Sequence, residues 1–119
     1  MERIKEKFAD FDAETALMFC GDSEELFWEI MEEYCSEDKV SELDALFSQE
    51  NWKDYQIGIH ALKSTSRTVG LMALGDEAEK LEMATKDEQY DYIRANHERV
   101  MALLENTTET ILKIIEEGQ

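Results

Sequence analysis

Tyr55-Gln56-Ile57-Gly58-Ile59-His60-Ala61-Leu62-Lys63-Ser64-Thr65-Ser66-Arg67-Thr68-Val69 decides the fold, because two stripes run along it at helical spacing. Tyr55, Ile59, Leu62, Ser66 and Val69 recur at alternating steps of four and three, which makes a core-facing seam. Gln56, His60, Lys63, Ser64 and Arg67 recur at similar steps about a third of a turn away. The segment reads as a helix from about Trp52 to Val69 that ends near Gly70, buried along one stripe and open along the other. Ala61 and Thr65 are small and flank the stripes, so the imidazole of His60 is expected to be accessible on a docking surface.

The same stretch is free of acid. From Gln56 to Gly75 there are 20 residues without one of the chain's 29 Asp and Glu, although the formal net charge is -17. Lys63 and Arg67 give the stretch a local charge of +2 beside a histidine, which suits an anion such as a phosphoryl group. An accessible neutral imidazole is a nucleophile, Lys63 one turn away can balance phosphoryl charge, and Ser64 and Arg67 offer further donors. As an exposed lysine, Lys63 is expected to be replaceable by alanine without unfolding the bundle. Taken alone, the pattern also fits an ordinary solvated helix face.

Outward from this helix, 119 residues are one domain's worth, and a single domain spanning 1–119 is expected. With no proline and only five glycines, the composition favours helix over strand. A short helix opens at Asp12 and closes at Gly21. Asp22 is read as the cap of the next, with Glu25 in capping-box spacing and Leu26, Phe27, Ile30, Met31 and Tyr34 as its stripe. A break near Ser36 precedes a segment through Val40, Leu43, Leu46 and Phe47 to about Ser48. Beyond Gly70 a shorter helix runs through Ala78, Leu81 and Met83 to about Thr85. A last helix runs from Asp87 to about Glu116, roughly 45 Å long; the first ten residues are expected to fray. These elements predict an all-α fold, an antiparallel up-and-down four-helix bundle with an additional short N-terminal helix.

Several functions are disfavoured. The acidic balance opposes nucleic acid and anionic membrane surfaces. No apolar run is long enough to span a bilayer and no signal-peptide pattern opens the chain, so a cytoplasmic location is expected. Cys20 and Cys35 lack metal-site spacing and read as buried free thiols. His97 shares a seam with Ile93, Val100, Leu104, Thr107 and Ile111, which makes it a buried, hydrogen-bonded histidine. Neither histidine sits in a Glu-x-x-His pair, so no metal site is expected. Acidic pairs such as Glu32-Glu33 read as solvated faces, and with no GxxxxGK[ST] loop no ATP-dependent kinase activity is expected.

At His60-Ala61-Leu62-Lys63-Ser64-Thr65-Ser66-Arg67-Thr68-Val69-Gly70 the chain resembles the histidine-containing phosphotransfer domains of bacterial two-component phosphorelays, whose hallmark is His-x-Leu-Lys-Gly followed by small residues and a second glycine. The resemblance continues through Leu74, Ala78 and Leu81-Glu82, and more loosely through Gly21-Asp22 and Glu25-Leu26-Phe27. It implies a helical bundle in which His60 accepts a phosphoryl group from one receiver domain's aspartate and passes it to another's. It further implies that Lys63 supports the phosphoryl group, that Glu82 orients the imidazole, and that Gln56, Ser64 and Arg67 meet the partner. No cofactor of the chain's own is implied, Mg²⁺ belonging to the receiver. Ser64 stands where the family most often has glycine, which bears on how closely a receiver approaches. The expected partners are response-regulator receiver domains and a hybrid sensor histidine kinase, met by a monomer. The alternative is a non-catalytic helical module that docks a receiver or another protein without being phosphorylated.

Overall fold

A computed structural model describes residues 1–118; Gln119, the end of the expected domain span, lies outside the described residues. The described residues form seven helices: α1 (Glu2–Lys7), α2 (Ala13–Phe19), α3 (Glu24–Ser36), α4 (Lys39–Ser48), α5 (Trp52–Thr68), α6 (Met72–Lys86) and α7 (Tyr90–Glu116). The all-helical expectation holds. None of these helices is long and apolar enough to cross a membrane.

Four helix starts are fixed by side chains that accept an otherwise unpaired backbone N–H. Asp12 takes Thr15 N, Ser23 takes Leu26 N, Asp38 takes Ser41 N and Asn51 takes Asp54 N, at 3.0–3.3 Å. The cap of α3 is therefore Ser23 and not Asp22, whose φ of 63° places it in the left-handed region of the preceding turn. Starting there, α3 buries Phe27, Trp28, Met31, Tyr34 and Cys35, while Leu26 is exposed and Ile30 half-buried. The buried face is rotated from the expected stripe because the large Trp28 side chain goes inward, edge-on to Phe27.

Two other boundaries differ from expectation. Residues Glu2–Lys7 do not fray: they form α1, with Ile4 fully buried and Arg3 paired to Glu117 at 2.6 Å. Two short helices, not one, thus precede α3. The last helix begins at Tyr90, because α6 continues to Lys86 and Glu88 turns with a φ of 55°. Its 27 residues span about 40 Å.

One core joins the elements. The expected seam of α5 is buried throughout, Tyr55, Ile59, Leu62, Ser66 and Val69 all being under 4 % exposed. It meets Phe27, Met31 and Tyr34 of α3, Leu74, Ala78 and Leu81 of α6, and Ile93, Val100, Leu104 and Ile111 of α7 in the same cluster. Met83, on the same helix as Ala78 and Leu81, faces outward. His97 is buried as expected: Nε2 lies 2.7 Å from Asp44 Oδ1, Nδ1 lies 2.8 Å from the Tyr55 hydroxyl, and Phe47 stacks on the ring. This network ties α4, α5 and α7 together. Cys20 and Cys35 are free and buried, and burial pushes the Cys35 thiol up to about 12, out of the reactive range.

Candidate functional site: an imidazole held by a buried carboxylate

The turn between α5 and α6 sets the site, because it brings residues 60–67 of one helix against residues 76–86 of the next. Gly70 makes that turn with a φ of +84°, and a Cβ there would lie 2.6 Å from the carbonyl oxygen of Asp12. Only glycine satisfies both the backbone and the space. The segment before α2 then locks on, Asp12 N donating to Gly70 O at 2.9 Å.

On this hairpin His60 is exposed, with 59 % of its side chain in solvent, and its Nδ1 lies 2.5 Å from Glu82 Oε2. Lys63 Nζ donates to the other oxygen, Oε1, also at 2.5 Å. Lys86, one turn beyond Glu82, places its Nζ 3.8 Å from Oε2. Glu82 itself is only 3 % exposed, and burying a carboxylate without partners is costly. Burial pushes its carboxyl pKa up, but hydrogen bonds from Lys63 and His60 and their charges outweigh that and hold it below the usual carboxylate value. Glu82 is thus an ionised acceptor. The imidazole nitrogen facing it must carry the proton, which leaves Nε2 unprotonated when the ring is neutral.

The sequence-predicted residues divide into two sets. His60, Lys63 and Glu82 come together, with Ser64 exposed beside the imidazole and Gln56 half-buried one turn before it. Arg67 is drawn aside: its Nη2 bonds both Asp76 at 2.9 Å and Glu79 at 3.0 Å on α6. Its stem crosses Gly75, where a Cβ would fall 2.6 Å from Arg67 Cγ. The local charge of +2 is therefore not a free patch, since α6 brings carboxylates to both bases. Nor is Lys63 the exposed lysine expected: its side chain is 18 % exposed and it neutralises a buried group. Lys86 was missed by sequence reasoning, although its i,i+4 spacing from Glu82 was a signal.

Beyond His60, on the side away from α6, lies a groove of about 260 Å³ between α3 and α5. Ser64, Thr65, Thr68 and Val69 line one wall, Ile30 and Tyr34 the other. These small side chains keep that flank low. No group of three or more His, Cys, Asp or Glu capable of holding a metal occurs among the described residues.

The fold and site define a helical domain that presents a single oriented imidazole on a helix face. The family model of the Hpt domain matches residues 14–112, and the chain belongs to that family, which implies a phosphotransfer carrier role in two-component systems. No curated protein and no solved structure matches the chain.

Proposed function

We propose that this chain is a phosphorelay carrier in which His60 accepts a phosphoryl group from the aspartyl phosphate of one receiver domain and passes it to the aspartate of another. The observation that carries this reading is the contact of the exposed His60 ring, through Nδ1, with the buried Glu82 carboxylate; a proton held at Nδ1 leaves Nε2 free to react. The Nε2 lone pair attacks phosphorus in line with the bond to the receiver's aspartate. The N–P bond forms as the P–O bond breaks, and the aspartate leaves as a carboxylate. The ring gains the positive charge, next to the Glu82 carboxylate that balances it, and the reverse steps deliver the group to the next receiver. Such transfer is mostly positioning and charge stabilisation, so Mg²⁺ and the acidic pocket are supplied by the receiver and the chain uses no cofactor of its own.

Lys63, held on Glu82 at rest, supplies charge to the phosphoryl group, while Gln56 and Ser64 border the docking face. Arg67 braces α5 against α6 and meets the receiver only at its margin. The bundle in this reading consists of α3, α5, α6 and α7 running up and down, a stiff frame for the imidazole.

Incubation with a receiver carrying labelled aspartyl phosphate tests the proposal. Wild type is expected to take up acid-labile, alkali-stable label, and His60→Gln none. Equal labelling of His60→Gln refutes the site. A wild type that binds the receiver yet takes up nothing refutes the carrier role and leaves a docking module.

A further inference from the structure

Glu82 has more basic neighbours than an orienting carboxylate needs. Oε2 faces His60 Nδ1 at 2.5 Å and Lys86 Nζ at 3.8 Å, while Oε1 is bonded to Lys63 Nζ at 2.5 Å, so that Lys86 alone stands beside the carboxylate without a hydrogen bond to it. Lys86 is also free to move, its side chain being 51 % exposed at the last position of α6. Lys63, by contrast, is committed in the resting state: its ammonium is bonded to Glu82 Oε1.

That commitment creates a conflict once a phosphoryl group arrives. If Lys63 turns to the new oxygens it abandons a buried carboxylate oxygen, and an unsatisfied buried acceptor is unfavourable. If it stays, the phosphoryl group has no cation of this chain bonded to it. From this geometry we infer that Lys86 is a positioning residue that replaces Lys63 on Glu82 when His60 is phosphorylated. The inference rests on the carrier reading. Lys86 swings by side-chain rotation from its place beside Oε2 toward the Oε1 that Lys63 vacates, Glu82 stays ionised and keeps the hydrogen bond from Nδ1, and Lys63 is released to the phosphoryl oxygens. No bond other than hydrogen bonds changes partner. The three side chains Lys63, Lys86 and Glu82 sum to one positive charge, which suits a site that must admit a phosphoryl group on an otherwise acidic surface.

The exchange is tested with Lys86→Gln and Lys86→Arg. Both substitutions are at one exposed position, and circular dichroism checks that the bundle is intact. In wild type, Lys86→Gln and Lys86→Arg, the rate of label uptake from a phosphorylated receiver and the lifetime of the label on His60 are measured. The ¹⁵N spectrum of the His60 ring is recorded before and after loading. Lys86→Gln is expected to lower uptake rate or label lifetime roughly 3- to 10-fold, the effect of one lost hydrogen bond from a half-exposed, solvent-screened lysine, with Lys86→Arg within about twofold of wild type. The unloaded ring spectrum is expected to match wild type in both variants, because Lys63 then holds Glu82; the loaded spectrum is expected to differ only in Lys86→Gln. A purely helix-terminal role for Lys86 moves the thermal midpoint and neither of these readouts. Wild-type uptake and lifetime in Lys86→Gln, equal impairment of the glutamine and arginine variants, or a shifted unloaded spectrum overturns the inference alone. Absence of label in wild type overturns the carrier reading and the inference with it.

Discussion

At the scale of single residues, Glu82 is the pivot. Its burial makes it expensive as a lone charge, and its contacts with His60 and Lys63 turn that expense into orientation of the ring. The arrangement has a pH consequence. Because the folded carboxyl lies below its ordinary value of 4.5, the ionised group contributes stability that is complete above that value and is lost as pH falls through the lowered one. Wild type is therefore expected to exceed Glu82→Gln in stability above pH 4.5, and to lose that margin as pH falls further below this value. Denaturant midpoints measured on both sides of pH 4.5 check it; a margin that grows as pH falls below 4.5 contradicts the ionised Glu82. Position 60 was legible in the sequence because spacing alone separated its stripe from the seam of Tyr55, Ile59 and Leu62. The burial of Lys63 was not, since what covers it lies on another helix.

Among the elements, the α5–α6 hairpin matters most, because residues 60 and 82 meet only if its turn is tight. Gly70 combines a left-handed φ with contact to Asp12 O and the Phe11 ring. Gly70→Ala is expected to destabilise the protein by about 2 kcal/mol or more through backbone strain and overlap together. Equilibrium denaturation measures this, and an unchanged midpoint contradicts the packing of α2's leading segment on the turn. Helix ends marked by strong local chemistry were readable: Asp12 as a cap, the break at Ser36, the stop at Gly70. Asp22 and Asp87 misled because an acid at a helix entrance can cap or sit one turn outside it, and tertiary contacts choose. The helix α1 was unreadable for a related reason, since six residues have little helical stability of their own and α1 is held by Ile4 in the core and by Arg3 on Glu117.

The whole molecule carries a charge of -17, and the acid-free stretch first marked the functional region as an island within it. Folding redistributes that charge: Asp76, Glu79 and Glu82 of α6 come to face the bases of α5. In the proposed carrier, what suits the region to a phosphoryl group is less its net sign than its geometry, one buried carboxylate beside two lysines and an exposed imidazole. The family match, residues 14–112, covers this hairpin. The account's central claim is that Glu82 holds Nδ1 and leaves Nε2 to react. The most direct measurement is the ¹H–¹⁵N and ³¹P spectrum of the protein after loading from a phosphorylated receiver. The account predicts phosphorus coupled to Nε2 of His60 with the proton retained on Nδ1; phosphorus on Nδ1, or on any residue other than His60, contradicts it.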